Sequence, residues 1–169
     1  MRQLKVLILV LISGLFTMCQ SNCDVIELKA IEDFDVAVTP DFVPFYVDDE
    51  RSALALDAAQ FKNQFALANY TFAGSDGEYL ASIQTLSEDD GESQYRLYIN
   101  DSLIKEVQND PMEQNYVKQS HDFKKIALTN GDTIGVAFSS HTNGKIPEGV
   151  TTAYSRGRWT ALILRPVCE

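Results

Sequence analysis

The residues best suited to chemistry cluster near the C-terminus. His141, Asn143 and Lys145 are followed by Tyr154, Arg156, Arg158 and Trp159, the only tryptophan. An arginine offers a planar fork of donors that fits a carboxylate or sulfate two oxygens at a time. Tyrosine or tryptophan beside it can stack on the apolar face of a sugar ring, and Asn and His supply directional donors and acceptors for hydroxyls. The grouping therefore suits a sugar, in particular an acidic or sulfated one. The same arginines could instead form salt bridges to acidic neighbours, and Trp159, at the start of an apolar run, also suits a core position.

Those acidic neighbours are Glu88, Asp89, Asp90 and Glu92, arranged around Gly91. Carboxylates on a turn can supply oxygens to calcium, although the spacing is not that of an EF-hand loop. They can also stand free in solvent, or Asp90 and Glu92 can accept hydrogen bonds from ligand hydroxyls. A second acidic turn, "VDDER" at 47–51, reads as solvated.

Catalytic signatures are sparse. There are only two histidines, His121 and His141. No Gly-x-Ser-x-Gly elbow, His-Glu-x-x-His helix or phosphate-binding glycine loop occurs. Paired carboxylates could hydrolyse a glycoside, and His141, Tyr154 and Arg156 could be arranged as a lyase, but nothing in their spacing demands either. Excess acid, with Lys+Arg 14 against Asp+Glu 24, disfavours nucleic acid and anionic membrane surfaces.

The first 21 residues read as an export signal: "MRQLK" is a short basic start and "VLILVLISGLF" an apolar run too short for a lasting membrane span. Cleavage after Ser21 and lipoprotein-type cleavage before Cys19 both fit, so the product is secreted or held at a bacterial surface by a lipid on Cys19. About 148 residues remain, enough for one domain. In an oxidising compartment Cys23 and Cys168 are expected to pair, which places the two ends of the chain side by side.

After Cys23 the pattern is mostly period two. Strands are expected at 25–31, 34–38, 42–47, 65–72, 78–86, 94–100, 102–108, 122–128, 132–139 and 158–164, and only 51–61 has a composition that also suits a helix. This predicts an all-β protein, a β-sandwich of jelly-roll type, with residues 22–49 packed on a sandwich of 50–169. "NDS" (100–102) and "TNGD" (129–132) are tight hairpin turns. Alternating strand direction from 78 onward then puts the long connections 87–93, 109–121 and 140–157 at one end, where such folds build sites.

The stretch from Phe65 to Val107 resembles the galactose-binding-like jelly rolls of carbohydrate-binding modules, families 6 and 35. Phe72, Gly74, Gly77 and Tyr79 match the first motif, and Ser93, Tyr95, Arg96 and Asn100 match the hairpin motif. The tail 141–164 resembles the ligand loop and last strand of modules appended to bacterial polysaccharide-degrading enzymes. The resemblance covers residues 50–166 and implies non-catalytic sugar binding by loops at one end, often with a structural calcium. Where the family holds calcium with a Glu-x-Glu pair and a final Asp, this chain has Asp57 and Gln60 and no acid in its last strand.

The sequence thus predicts polysaccharide binding without cleavage. Tyr154 would stack, Arg156 and Arg158 would grip anionic groups or hydroxyls, and His141, Asn143, Asp90 and Glu92 would orient hydroxyls. A small lyase or hydrolase, and a surface adhesion module, are the alternative classes.

Overall fold

Strand pairing begins at the two ends of the chain. In the computed structural model, which describes residues 23–37 and 41–168, β1 (Ile26–Lys29) runs antiparallel to the last strand, β13 (Trp159–Pro166), with Ile26 opposite Leu164. This pairing brings Cys23 to Cys168, and the expected disulfide is formed across a Cα–Cα distance of 6.2 Å. The leader, Cys19 and any lipid on it lie outside the described residues.

The intervening elements are a four-residue helical turn α1 (Ala30–Asp33), β2 (Asp35–Val36), β3 (Phe45–Asp48), β4 (Ala53–Leu56), β5 (Phe65–Thr71), β6 (Gly77–Leu86), β7 (Gln94–Ile99), β8 (Ser102–Gln108), β9 (Lys118–Leu128), β10 (Thr133–Ser139), β11 (Pro147–Glu148) and β12 (Thr151–Thr152). Among the described residues, one sheet has the order β3-β4-β13-β6-β9, with β1 also on β13, and a second has β2-β5-β10-β7-β8. The short hairpin β11-β12 stands apart. All pairings are antiparallel, and the two sheets pack face to face as the all-β sandwich that the periodicity predicts. The segment 22–49, expected to pack on the sandwich, supplies through its described residues β1 and β3 to the first sheet and β2 to the second.

Alternation drives this arrangement. In β10, Ile134, Val136 and Phe138 point inward, as do Tyr95 and Leu97 of β7, and all five are fully buried. Trp159 of the first sheet meets Phe138 of the second at 6.0 Å and Phe34 edge-on at 4.9 Å. The aromatic contacts therefore staple the sheets at the end where β13 begins.

The tight turns behave as their residues require. Asn100 and Asp101 both have positive φ, 48° and 64°, which suits the two-residue connection between β7 and β8. Three expectations change, the first being the strand expected at 25–31, which ends at Lys29 where α1 begins. Residues 51–61 are not helical: 53–56 form β4, buried on both faces between β3 and β13, and covered faces erase the alternation that marks a strand. The strand expected at 122–128 begins at Lys118, because the ten-residue β6 offers partners as far as Leu86, opposite Lys118. The connection before it shrinks to 109–117.

Candidate functional site: the loop rim

The three long connections do meet at one end. Ser87 N–H donates to the Val117 carbonyl at 2.9 Å and Tyr116 N–H to the Ser87 carbonyl at 2.7 Å, tying loop 87–93 to loop 109–117. Asn143 N–H donates to the Asp90 carbonyl at 3.0 Å, tying loop 87–93 to loop 140–158. Gly91 sits at that second junction, where a Cβ would lie 2.1 Å from the His141 carbonyl oxygen, so only glycine allows the two loops to close.

Much of the chemistry foreseen for ligand is spent on holding these loops. The Glu92 N–H donates to His141 Nδ1 at 3.1 Å. Asn143 Nδ2 donates to the Asp89 carbonyl at 2.9 Å and to Glu92 Oε1 at 3.2 Å. His141, Asn143 and Glu92 are thus brought together, as expected, but they face one another. Tyr154 is half-buried against the core, with the Lys62 ammonium 5.1 Å from its ring centre. Asp90 is half-buried, its Oδ1 lacks a hydrogen bond among the described residues, and burial raises its pKa.

Arg158 and Trp159 are corrected outright. Arg158 is 3% exposed; its Nε donates to Asp48 Oδ2 at 2.7 Å and its Nη1 to Glu88 Oε1. Its guanidinium also lies 5.2 Å from the Tyr116 ring centre, and Arg51 stacks on that ring at 3.8 Å while pairing with Asp48. No ligand can reach a group so enclosed, so the salt-bridge reading holds for Arg158. Trp159 is fully buried in the inter-sheet core. Within "VDDER" only Asp48 departs from the solvated reading, buried as a partner of both Arg158 and Arg51, while Asp49 and Glu50 are exposed. Arg156 differs from Arg158. Its backbone N–H donates to Glu88 Oε2 at 2.8 Å, but its guanidinium is exposed and among the described residues reaches only the Tyr46 hydroxyl at 3.5 Å.

The cluster has uneven electrostatics. Burial pushes the Glu88 carboxyl up to about 7, against the pull of Arg158 and of the Arg156 N–H. Burial acts on Asp48 in the same sense, but hydrogen bonds and charge from Arg158 and Arg51 outweigh it and hold its pKa low. The folded chain therefore keeps a proton on Glu88 at pH values where the unfolded chain has released it. That contribution to stability is complete below the ordinary glutamate pKa and is lost as pH rises through about 7. Asp48 acts oppositely, its contribution disappearing only in acid below the ordinary aspartate range. Thermal midpoints at constant ionic strength should fall between mildly acidic and mildly alkaline pH, and Glu88→Gln should flatten the fall. An unchanged slope in the variant would assign it to general charge repulsion.

What remains open on the rim is a cleft of about 370 Å³ where all three loops contribute. Pro111, Met112 and Ile146 give it apolar walls, and Asp89, Glu113 and Lys145 give it charge. Lys145 and Asp89 belong to loops already singled out in the sequence. Residues 111–113 escaped notice, although strand parity placed their loop at this end and an exposed Pro-Met pair is a usable signal for a binding wall. Asp57 Oδ1 accepts from the Ala59 and Gln60 N–H groups and its Oδ2 from Gln60 Nε2, a local turn, and no group of three His, Cys, Asp or Glu suited to a metal occurs among the described residues.

No family model and no curated protein matches the sequence. Solved structures do resemble the fold. A CBM36-1 domain of a multidomain xylanase from the hindgut metagenome of Trinervitermes trinervoides superposes with a TM-score of 0.54 at 10% identity, covering 86% of this chain and 100% of that one. A family 35 carbohydrate-binding module from Clostridium thermocellum gives 0.51 at 10% identity, covering 85% and 99%. A Paenibacillus xanthan lyase gives 0.59 at 12% identity over 83% of this chain, which spans only 13% of that enzyme. At such identities the likeness is one of architecture: this chain has the jelly-roll β-sandwich fold found in carbohydrate-binding modules.

Proposed function

We propose that this protein binds a polysaccharide, without cleaving it, in the rim cleft between loops 87–93, 109–117 and 140–158, and that it does so as a secreted or surface-held protein. The observation that carries the reading is the cleft itself, built by the three long connections of a fold shared with carbohydrate-binding modules. Pro111, Met112 and Ile146 offer an apolar surface to a sugar ring, while the Asp89 and Glu113 carboxylates accept hydrogen bonds from hydroxyls and the Lys145 ammonium donates one. Two carboxylates against one ammonium favour a neutral, hydroxyl-rich sugar here. The acidic or sulfated ligand expected from the sequence leaned on Arg158, which the fold buries, and leaves Arg156 as the exposed cation of that pair.

Binding rather than chemistry is supported by how the histidines are used. His121 Nε2 lies 3.1 Å from Asn109 Oδ1 and 3.2 Å from Gln119 Oε1, and His141 is held by Glu92. Protein adhesion would want one continuous apolar patch. The most exposed apolar side chains, Val150, Leu103, Val25 and Leu80, instead lie on separate elements.

Affinity electrophoresis through gels containing soluble neutral polysaccharides tests the proposal. The wild type should be retarded by at least one of them, with chelator making no difference. Glu113→Ala should weaken retention about tenfold, the worth of a hydrogen bond to a charged group. Absence of retardation in every neutral gel, or release of reducing ends or unsaturated products, would overturn it.

A further inference from the structure

We infer that Met112 is an oxidation site that switches the rim cleft: a peroxide converts its thioether to the sulfoxide, and the cleft then releases its sugar. The oxidation stands on its own, while the release rests on the cleft reading above. Of the three methionines, Met1 and Met18 fall in the leader, so Met112 is the only one among the described residues. Cys23 and Cys168 are already joined in the disulfide, and Trp159 is fully buried. The thioether of Met112 is therefore the readily oxidised sulfur among the described residues. It lies in the wall of the cleft, with the residue 36% exposed.

The fold holds this side chain at the rim, because loop 109–117 is pinned on both sides of it. Before it, Gln119 fixes Asp110: its Oε1 accepts from the Asp110 N–H at 2.8 Å and its Nε2 donates to the Asp110 carbonyl at 3.1 Å. Beyond it, Ser87 Oγ donates to the Gln114 carbonyl at 2.7 Å, and the Asp89 N–H donates to Asn115 Oδ1 at 2.8 Å. Residues 111–113 form a short arch between these anchors, and the fixed φ of Pro111 stiffens its start. Met112 takes no part in the inter-sheet core, so a change in its polarity leaves the packing of the sandwich as it is.

A sulfur lone pair attacks one oxygen of hydrogen peroxide, and the S–O bond forms as the O–O bond breaks. Sulfur gives up two electrons; the hydroxide released takes the proton from the S–OH group and leaves as water. The product replaces a soft apolar surface with a dipolar S–O group. A sugar in the cleft then loses twice. The apolar wall that Met112 forms with Pro111 and Ile146 is interrupted where a ring lies against it. The new oxygen is also a strong acceptor, and Lys145 is the one charged donor lining the cleft, so the sulfoxide competes with the sugar for that ammonium. Asp89 and Glu113 already supply acceptors, so the added oxygen offers the hydroxyls nothing they lack.

The test treats the folded protein with dilute hydrogen peroxide, removes the oxidant, and follows mass, retention and stability together. Peptide mapping should find one oxygen added at Met112. Retention in a neutral-polysaccharide gel that retards the untreated protein should fall about tenfold, the worth of a hydrogen bond to a charged group, while the thermal midpoint stays where it was. Methionine sulfoxide reductases for both epimers should restore retention. In Met112→Leu, whatever its own retention, treated and untreated samples should migrate alike. Met112 left unoxidised in the folded protein, equal retention before and after oxidation, or a peroxide effect that persists in Met112→Leu would overturn the inference. An untreated wild type that no neutral gel retards overturns the cleft reading and the switch with it, and the peptide map then decides the oxidation site by itself.

Discussion

Replacing Arg158 with alanine is expected to lower the folding free energy by about 3–5 kcal/mol, the range for removing one partner from a buried ion pair. The side chain is 4% exposed and its two partners, Asp48 and Glu88, are 8% and 5% exposed, so neither carboxylate can turn to water when the guanidinium goes. Asp48 would keep Arg51, but Glu88 would be left with backbone N–H groups in place of a guanidinium. The loss should spread beyond the pair. One guanidinium touches loop 87–93 through Glu88, β3 through Asp48 and loop 109–117 through Tyr116, so its removal loosens the roots of two rim loops. Sugar binding in the cleft should weaken in step with stability. Urea unfolding of the variant checks the first expectation, and a loss below about 1 kcal/mol would show the pair to be no stronger than a surface bridge. Glu88→Gln should be milder, because an amide oxygen can still accept from Arg158.

Breaking the Cys23–Cys168 bond should have an effect of comparable size, by a different route. The bond closes a loop with a sequence separation of 145, and the chain-entropy relation gives about 5 kcal/mol for a loop that long. For a domain of this size that corresponds to a fall on the order of 15 °C in the thermal midpoint. The native contacts near the bond would survive, since β1 keeps its ladder with β13 from Ile26 to Lys29. The effect therefore lies mostly in the unfolded chain, which expands once it is no longer tied end to end. A Cys23→Ser/Cys168→Ser variant should accordingly show a larger dependence of unfolding free energy on urea, together with its lower midpoint. A variant with the wild-type midpoint would mean that strand pairing alone secures the termini.

Local features of the sequence were enough for the layered architecture. Short runs rich in β-branched and aromatic residues at 65–71, 94–99, 102–108 and 133–139 define strands that the fold realises with little change, although 94–99 does not alternate cleanly. Two cysteines at opposite ends of the chain carried the disulfide. Counting strand directions was sufficient to gather the three long loops at one rim, because antiparallel neighbours joined by tight turns must reverse.

The use made of the charged residues was settled only in three dimensions. Arg156 and Arg158 are two positions apart, a spacing that in a regular strand gives both the same face. Gly157 between them has φ of +62° and packs where a Cβ would lie 2.7 Å from the Ser139 carbonyl oxygen, so the chain turns there and β13 begins only afterwards. One arginine is left in solvent and the other is driven under the rim. Its partner Asp48 lies 110 positions away and resembles its exposed neighbours Asp49 and Glu50 in everything but strand pairing. Local pattern fixes which face of a strand looks inward. Which distant carboxylate meets a guanidinium, and so which cations stay free for a ligand, depends on how separate loops and strands come to rest against one another.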